Sequence, residues 1–441
     1  MCENCDDWSL HHSSLSRAPV SRRRTLDLMA AGGLAALLAG LPGGKARASQ
    51  DEKLRIGYLP ITDATALLVA HAKGFYKDEG LDVEEPQLLR GWSPLVESFA
   101  AGKFNLVHLL KPIPLWMRYN NNVPVKIMAW AHTNGSGLVV GKDSGVESFK
   151  DLAGKQVAVP YWYSMHNIVL QMALRAAGVK AVIRGEGEPL APDECNLQVL
   201  APPDMPPALA AKKIHAYIVA EPFNAVGELK AGGKILRFTG DIWKNHPCCV
   251  VCMHEDDTAQ RPEWTQAVLN AIVRAEIYAS QNKKEVAHLL SRDGKGYLPM
   301  PVDVVERAMT FYDEAAYAQP QAIRNKAAWG NGRIDFQPWP YPSATKLIVQ
   351  ALGETVVAGD RGLPCQARPG VCRQGSGGLP FRPRRVGEVP GLAQGPKRQR
   401  RQPVRAHRTG GAVTADPEAR RAFGRGGWPA PSSGRSWAAP S

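Results

Sequence analysis

Residues 53–84 read KLRIGYLPITDATALLVAHAKGFYKDEGLDVE. Leu54, Ile56 and Tyr58 recur at every second position, the pattern of a short strand. Pro60 ends it, Thr62 and Asp63 are candidate caps, and a helical apolar run follows from Ala64 to Phe75. Gly80 closes the helix and Leu81 opens a new strand. This strand-loop-helix-strand unit is the building block of an open α/β sheet. Ligands of such sheets sit where strand ends meet helix starts.

The alternation continues downstream. Strands are predicted over residues 105–110, 123–130, 137–141, 156–161, 197–200, 217–220, 235–238 and 250–253. Helices are predicted from Ser93, a cap with Pro94 at the first helical position, and at residues 112–120. Others are expected from a Ser164 cap to Ala177 and at residues 206–213, 223–230, 262–292, 302–313 and 341–357. At 441 residues the chain has room for two lobes, and residues 152–155 read as the connection between them.

Charge is distributed unevenly. The chain carries 54 Lys+Arg and 41 Asp+Glu, a net of +13. Residues 361–441 hold 16 basic and 3 acidic residues, so residues 1–360 carry 38 of each sign and are neutral. The basic excess therefore gives no reason to expect a nucleic-acid partner for the body. The tail is dominated by Gly, Pro and Arg, a composition that cannot bury a core. It reads as a disordered basic tail or as a reading-frame slip, which sequencing the gene would decide.

The other end reads as an export signal over residues 1–48. Arg22-Arg23-Arg24 precede an apolar run over residues 28–41, Pro42 breaks it, and Ala46-Arg47-Ala48 is a small-x-small cleavage site. That run is shorter than the ~20 residues a bilayer span needs. Thr25 and Asp27 depart from the usual twin-arginine pattern, so Tat and Sec export both stay open. The mature protein is expected in the periplasm. Of eight cysteines, Cys2 and Cys5 precede the signal, Cys365 and Cys372 lie in the tail, and Cys195, Cys248, Cys249 and Cys252 belong to the body. Some of these last four can pair in an oxidising compartment.

No strong metal-ligand spacing, phosphate loop or nucleophile elbow occurs in the body, so neither metal nor cofactor is expected. What remains are polar and aromatic residues at helix starts, where unpaired N–H groups hold anions. Thr62, Asp63, Trp92, Asn134, Ser136 and His166 are of this kind, with Tyr161 beside one such start. A carboxylate cap at Asp63 would use its own helix's amides. The run Cys248-Cys249-Val250-Val251-Cys252 reads first as small buried hydrophobes.

Four stretches share a resemblance: residues 56–84, NLVHLLKPIP at 105–114, AKKIHAYIVAEPFNAVGELKAGGK at 211–234 and TGDIWKNHP at 239–247. The chain resembles the solute-binding proteins of ABC importers. The group is the nitrate/sulfonate/taurine/bicarbonate one, related to the thiamine-pyrimidine (NMT1/THI5-like) proteins and closest here to the nitrate- and bicarbonate-binding branch. The resemblance implies an α/β, two-lobed type II periplasmic-binding fold with two hinge crossings. One lobe would combine residues 53–145 with 245–360 and the other would be 146–244. It implies a monomer that captures a small ligand and hands it to a membrane permease, with no bond chemistry. Trp92 and His166 match that branch's pocket tryptophan and histidine, and Glu221 lies in the third stretch. Ser136 replaces a glutamine, while Cys248 and Cys249 replace an acidic residue and the lysine that pairs with nitrate. A thiol where a lysine is expected removes a point charge and favours a larger, less charged ligand. The alternative implied by the same resemblance is a THI5-like pyrimidine-precursor synthase.

Overall fold

Apolar strand segments separated by glycine, proline and capped helices fold into two main sheets. The computed structural model describes residues 53–358, except residue 186 and residues 327–331. The expected export signal, the four cysteines flanking the body and the basic tail lie outside the described residues.

The strands, in chain order, are β1 Ile56–Tyr58, β2 Gln87–Leu88, β3 Leu106–Leu110, β4 Val125–Trp130, β5 Thr133–Asn134, β6 Ser136–Gly141, β7 Gln156–Val159, β8 Lys180–Val182, β9 Glu194–Val199, β10 Ala216–Ala220, β11 Gly233–Phe238, β12 Cys249–His254 and β13 Ile334–Asp335. One sheet has the order β2-β1-β3-β12-β4 and the other β11-β6-β10-β7-β9-β8. In the first, β1 runs parallel to β2 and β3, and β12 inserts antiparallel between β3 and β4. In the second, β7 is parallel to β9 and β10, and β6 inserts antiparallel between β10 and β11. The two sheets thus repeat one plan.

The chain crosses between sheets twice, at residues 131–135 and 239–248. Asn134 and Gly135 both take positive φ, 58° and 73°, which turns the first crossing sharply. The crossings are joined: Asn134 N–H donates to His246 O at 3.1 Å, and Thr133 bridges Pro247. β13 pairs with β5 and braces the first crossing. This corrects the connection expected at residues 152–155. There, Phe149–Leu152 is a one-turn helix closed by a Ser148/Asp151 capping box, and the strands on both sides belong to the second sheet.

Other expectations shift locally. Gly74 splits the first helix into Thr65–Ala72 and Phe75–Asp78 at φ 75°, a left-handed conformation that glycine adopts without a Cβ penalty. Ser93 is inside its helix, Trp92–Ala100, whose N-cap is Gly91. Asn282 breaks the long 262–292 helix into Pro262–Gln281 and Lys283–Leu290. Ser164 does cap Met165–Ala176, accepting from Asn167 N–H at 3.0 Å. Cys195, Cys248, Cys249 and Cys252 are all buried and unpaired, which overturns the expectation that some pair. No helix of the described residues is long and apolar enough to cross a membrane.

Gly57 shows how tightly the first sheet is filled. A Cβ there would stand 2.5 Å from the fully buried Phe104 ring. Gly57→Ala is expected to lower the unfolding free energy by about 1–3 kcal/mol, read as a shifted urea midpoint. An unchanged midpoint would show that Phe104 has room to move.

Candidate functional site

The crossings carry an unusual density of buried polar side chains. Asp63 follows β1 and sits in the one-turn helix Thr62–Ala64. His132 lies in the first crossing, Cys248 ends the second, and Cys249 opens β12. All four are fully buried. Asp63 Oδ2 is 2.9 Å from His132 Nε2 and accepts from the Cys249 thiol at 3.0 Å. The carboxylate therefore does not cap its own helix, contrary to the sequence reading. It is turned toward the crossings instead.

A second group lies alongside. Ser136 Oγ is 2.9 Å from His166 Nε2 and 3.7 Å from Cys248 Sγ, and Cys248 Sγ is 3.8 Å from His166 Nε2. Thr239 donates to Ser136 O at 3.1 Å, so its hydroxyl accepts from His246 Nε2–H at 2.8 Å. On the first sheet, His108 Nε2 accepts from Leu59 N–H at 3.0 Å, and its ring stands edge-on to Trp92 at 5.6 Å. Trp92 opens its helix and is 2% exposed.

Burial sets the charges here. It pushes His108 down to about 3 and His246 to about 4, so both are neutral imidazoles. Burial also works to lower His132, but the Asp63 charge and hydrogen bond carry it up to about 10. Burial raises Asp63 against the pull of His132. The geometry favours the ion pair, because Asp63 Oδ2 receives both the His132 and the Cys249 contacts. Burial raises both adjacent thiols as well, yet Cys249, His166 and His132 around Cys248 bring it well below the ordinary thiol range. Cys249, facing Cys248 and Asp63, is held well above it. Only Cys252 fits the reading of a small buried hydrophobe, with burial alone raising its thiol and its sulfur 4.0 Å from Val250 O.

Several polar atoms in this region are buried without a hydrogen-bond partner: Trp92 Nε1, His108 Nδ1, Thr133 Oγ1, Asn134 Oδ1, His166 Nδ1 and His246 Nδ1. Most buried polar groups are paired, so these six atoms are exceptions within the chain.

The structure thus brings Asp63, Ser136, His166 and Cys248 together, while Trp92 stands against His108 on the first sheet. Asn134 borders the former group, with its amide Nδ2 donating to Asn245 at 3.3 Å. Thr62 is buried and donates through N–H and hydroxyl to Glu221 O, at 2.8 and 3.1 Å. The Glu221 carboxylate points elsewhere, onto buried Arg333 at 2.6 Å. Tyr161 lines a separate cavity of about 250 Å³ with Ser93, Glu97 and Trp116. Sequence reading did not single out His108, His132 or His246. His108 was detectable as the lone polar residue in the apolar strand LVHLL, and His132 as the neighbour of a turn signal.

Comparison with known proteins gives a consistent picture. The profile of the NMT1-like family matches residues 47–291. The nitrate/nitrite binding protein NrtA of Nostoc sp. is 26% identical over 331 residues, 70% of this chain and 72% of that protein. The crystal structure of the periplasmic nitrate-binding protein NrtA from Synechocystis superposes with a TM-score of 0.56 at 21% identity, over 68% of this chain and 80% of the other. The alkanesulfonate-binding protein SsuA of Xanthomonas axonopodis pv. citri, bound to MOPS, superposes at 0.55 with 15% identity, over 73% and 99%. The architecture is accordingly the two-lobed α/β fold of the periplasmic binding proteins.

Proposed function

This chain belongs to the NMT1-like family, and from that premise we propose that it is a periplasmic solute-binding protein that delivers a small ligand to an ABC permease. The single observation that carries this reading is the set of unpartnered buried polar atoms in and around the two crossings. They come from both sheets: Trp92 and His108 from the first, His166 from the helix packed on the second. The two sheets act as two lobes, and residues 131–135 and 239–248 act as the hinge. Ligand contacts made to both lobes favour the closed form, since equal binding to open and closed states shifts nothing.

Trp92, Asn134, Ser136 and His166 are the proposed ligand contacts, with Cys248 beside them. A sulfonate- or taurine-type anion suits this site better than bare nitrate. It offers oxygens to the imidazole and hydroxyl groups and an organic part to the Trp92 ring. The cysteine at 249 leaves that position without a lysine's charge. The synthase reading of the same fold would show itself as cofactor absorbance in purified protein.

A thermal-shift screen of the chain from Ser49 onward tests the proposal, using nitrate, bicarbonate, taurine, alkanesulfonates, riboflavin and pyrimidines. A true ligand at a hundred times its Kd adds about 2.7 kcal/mol of stability, a shift of about 2 °C or more for a chain of this size. A flat response across all these classes would sink the assignment.

A further inference from the structure

We propose that Asp63, His132, Cys248 and Cys249 form a binding site for a thiophilic divalent cation of the zinc class. One carboxylate oxygen, one imidazole nitrogen and two sulfurs lie within 4.8 Å of one another, and all four residues are buried. A tetrahedral zinc ion, with bonds of about 2.0–2.3 Å, holds its donors about 3.3–3.8 Å apart. The closest pairs here, at 2.9 and 3.0 Å, need to open by less than about 1 Å. No pair is farther apart than 4.8 Å, so none needs to contract by more than about 1.5 Å. Two sulfurs with one nitrogen and one oxygen select zinc-like ions over calcium or magnesium, which take oxygen ligands.

The contacts among these four residues are otherwise strained in their roles. His132 Nε2 faces both the Asp63 carboxylate at 2.9 Å and the Cys249 N–H at 3.3 Å. It can donate to the first or accept from the second, but not both. A cation resolves this, because every converging atom then offers a lone pair to one centre. A second observation comes from the helix Pro262–Gln281. Glu276 is fully buried there with neither carboxylate oxygen bonded, and it interacts electrostatically with His132. His132 Nδ1 is itself buried without a partner. Metal-bound histidines usually give their other nitrogen to an acceptor, and His132 Nδ1 is not committed to any other partner.

The donors come from three places: the turn after β1, the first crossing and the end of the second. An ion here ties both crossings to the first sheet. With four protein donors the site is closed, which suits a holding role. The inference concerns metal content and does not depend on which solute binds.

The test is to express the full chain in zinc- or cobalt-supplemented medium and measure metal per protein by plasma mass spectrometry. The expected result is about one equivalent, with a thiolate-to-cobalt absorption band in the cobalt form. Cys248→Ser combined with Cys249→Ser should lose both signals, and Asp63→Asn should weaken affinity at least about tenfold. Folding of each variant is checked by circular dichroism. X-ray absorption of the unmodified zinc protein gives a readout free of any variant, and two sulfur scatterers at about 2.3 Å are expected. Metal well below one equivalent, a zinc shell without sulfur, or a cobalt band that survives the double serine change overturns the proposal. The solute screen is read separately, so failure of one leaves the other standing.

Discussion

Arg333→Met is expected to lower the unfolding free energy by about 3–5 kcal/mol, the cost of removing one partner from a buried ionic cluster. Arg333 is 1% exposed. Its guanidinium meets Glu221 at 2.6 Å and Glu228 at 3.1 Å, and donates to Tyr317 at 3.0 Å and to Phe311 O at 3.3 Å. Its backbone carbonyl accepts from Gly135 N–H in the first crossing at 3.0 Å. Glu221, in turn, holds Thr62 through its carbonyl. Methionine fills comparable volume but leaves a fully buried carboxyl at Glu221, which burial already pushes above the usual carboxylate range and which Arg333, with a lesser contribution from the Ala225 N–H, draws back. Glu228 keeps Arg307 at 2.9 Å and suffers less. Urea unfolding monitored by circular dichroism measures the loss. Adding Glu221→Gln should recover part of it, because the orphaned charge is then gone. A loss below about 1 kcal/mol would mean that Arg333 is only a surface-like pair.

His166→Ala is expected to weaken binding of the solute found in the screen about ten- to hundredfold, the range for losing a hydrogen bond to a charged group. His166 stands in the first turn of the helix that Ser164 caps, 2% exposed, with Nδ1 free of any partner and Nε2 on Ser136. Trp92→Ala should produce a loss of similar size from the other sheet. The two losses should add to within a few tenths of a kcal/mol if the residues touch the ligand independently. Isothermal titration of both single variants and the double variant gives the numbers. Wild-type affinity in both single variants would remove this region as the binding site. Loss in His166→Ala alone would place the ligand on the second sheet only.

Much of this was readable from the chain. Short apolar runs marked β3, β10 and β11, and Ser164 announced the helix that bears His166, because these signals are local. The segments that join the sheets were not readable. β2, β5 and β13 have two residues each, too short for any periodicity. β5 and β13 pair with each other about 200 residues apart, as between Ile334 and Asn134, and β2 depends on β1 about 30 residues before it. The same holds for the site. Trp92 and His166 stand in first helical turns as expected, whereas Asn134 and Ser136 lie in β5 and β6, because the turn at Gly135 joins strands rather than opening a helix. His132 and Cys249 acquire meaning only when Asp63, far off in sequence, is folded against them. Cys249 looked apolar because strand position predicts burial, whereas its partner decides what burial does.

The described chain does not end loosely. Val356 N–H donates to Gln171 Oε1 at 2.8 Å, and Val356 O accepts from Gln171 at 2.9 Å and Asn167 at 3.2 Å. Asn167 and Gln171 lie on the His166 helix, one residue and five residues along. A fragment cut before Thr355 would strip each of these two buried amides of one acceptor and Gln171 Oε1 of its donor, leaving only Trp162 O and the contact between them, at the element that presents the imidazole to the solute. The smallest piece of this chain worth making therefore runs through Val356, with any affinity tag or dye joined beyond it.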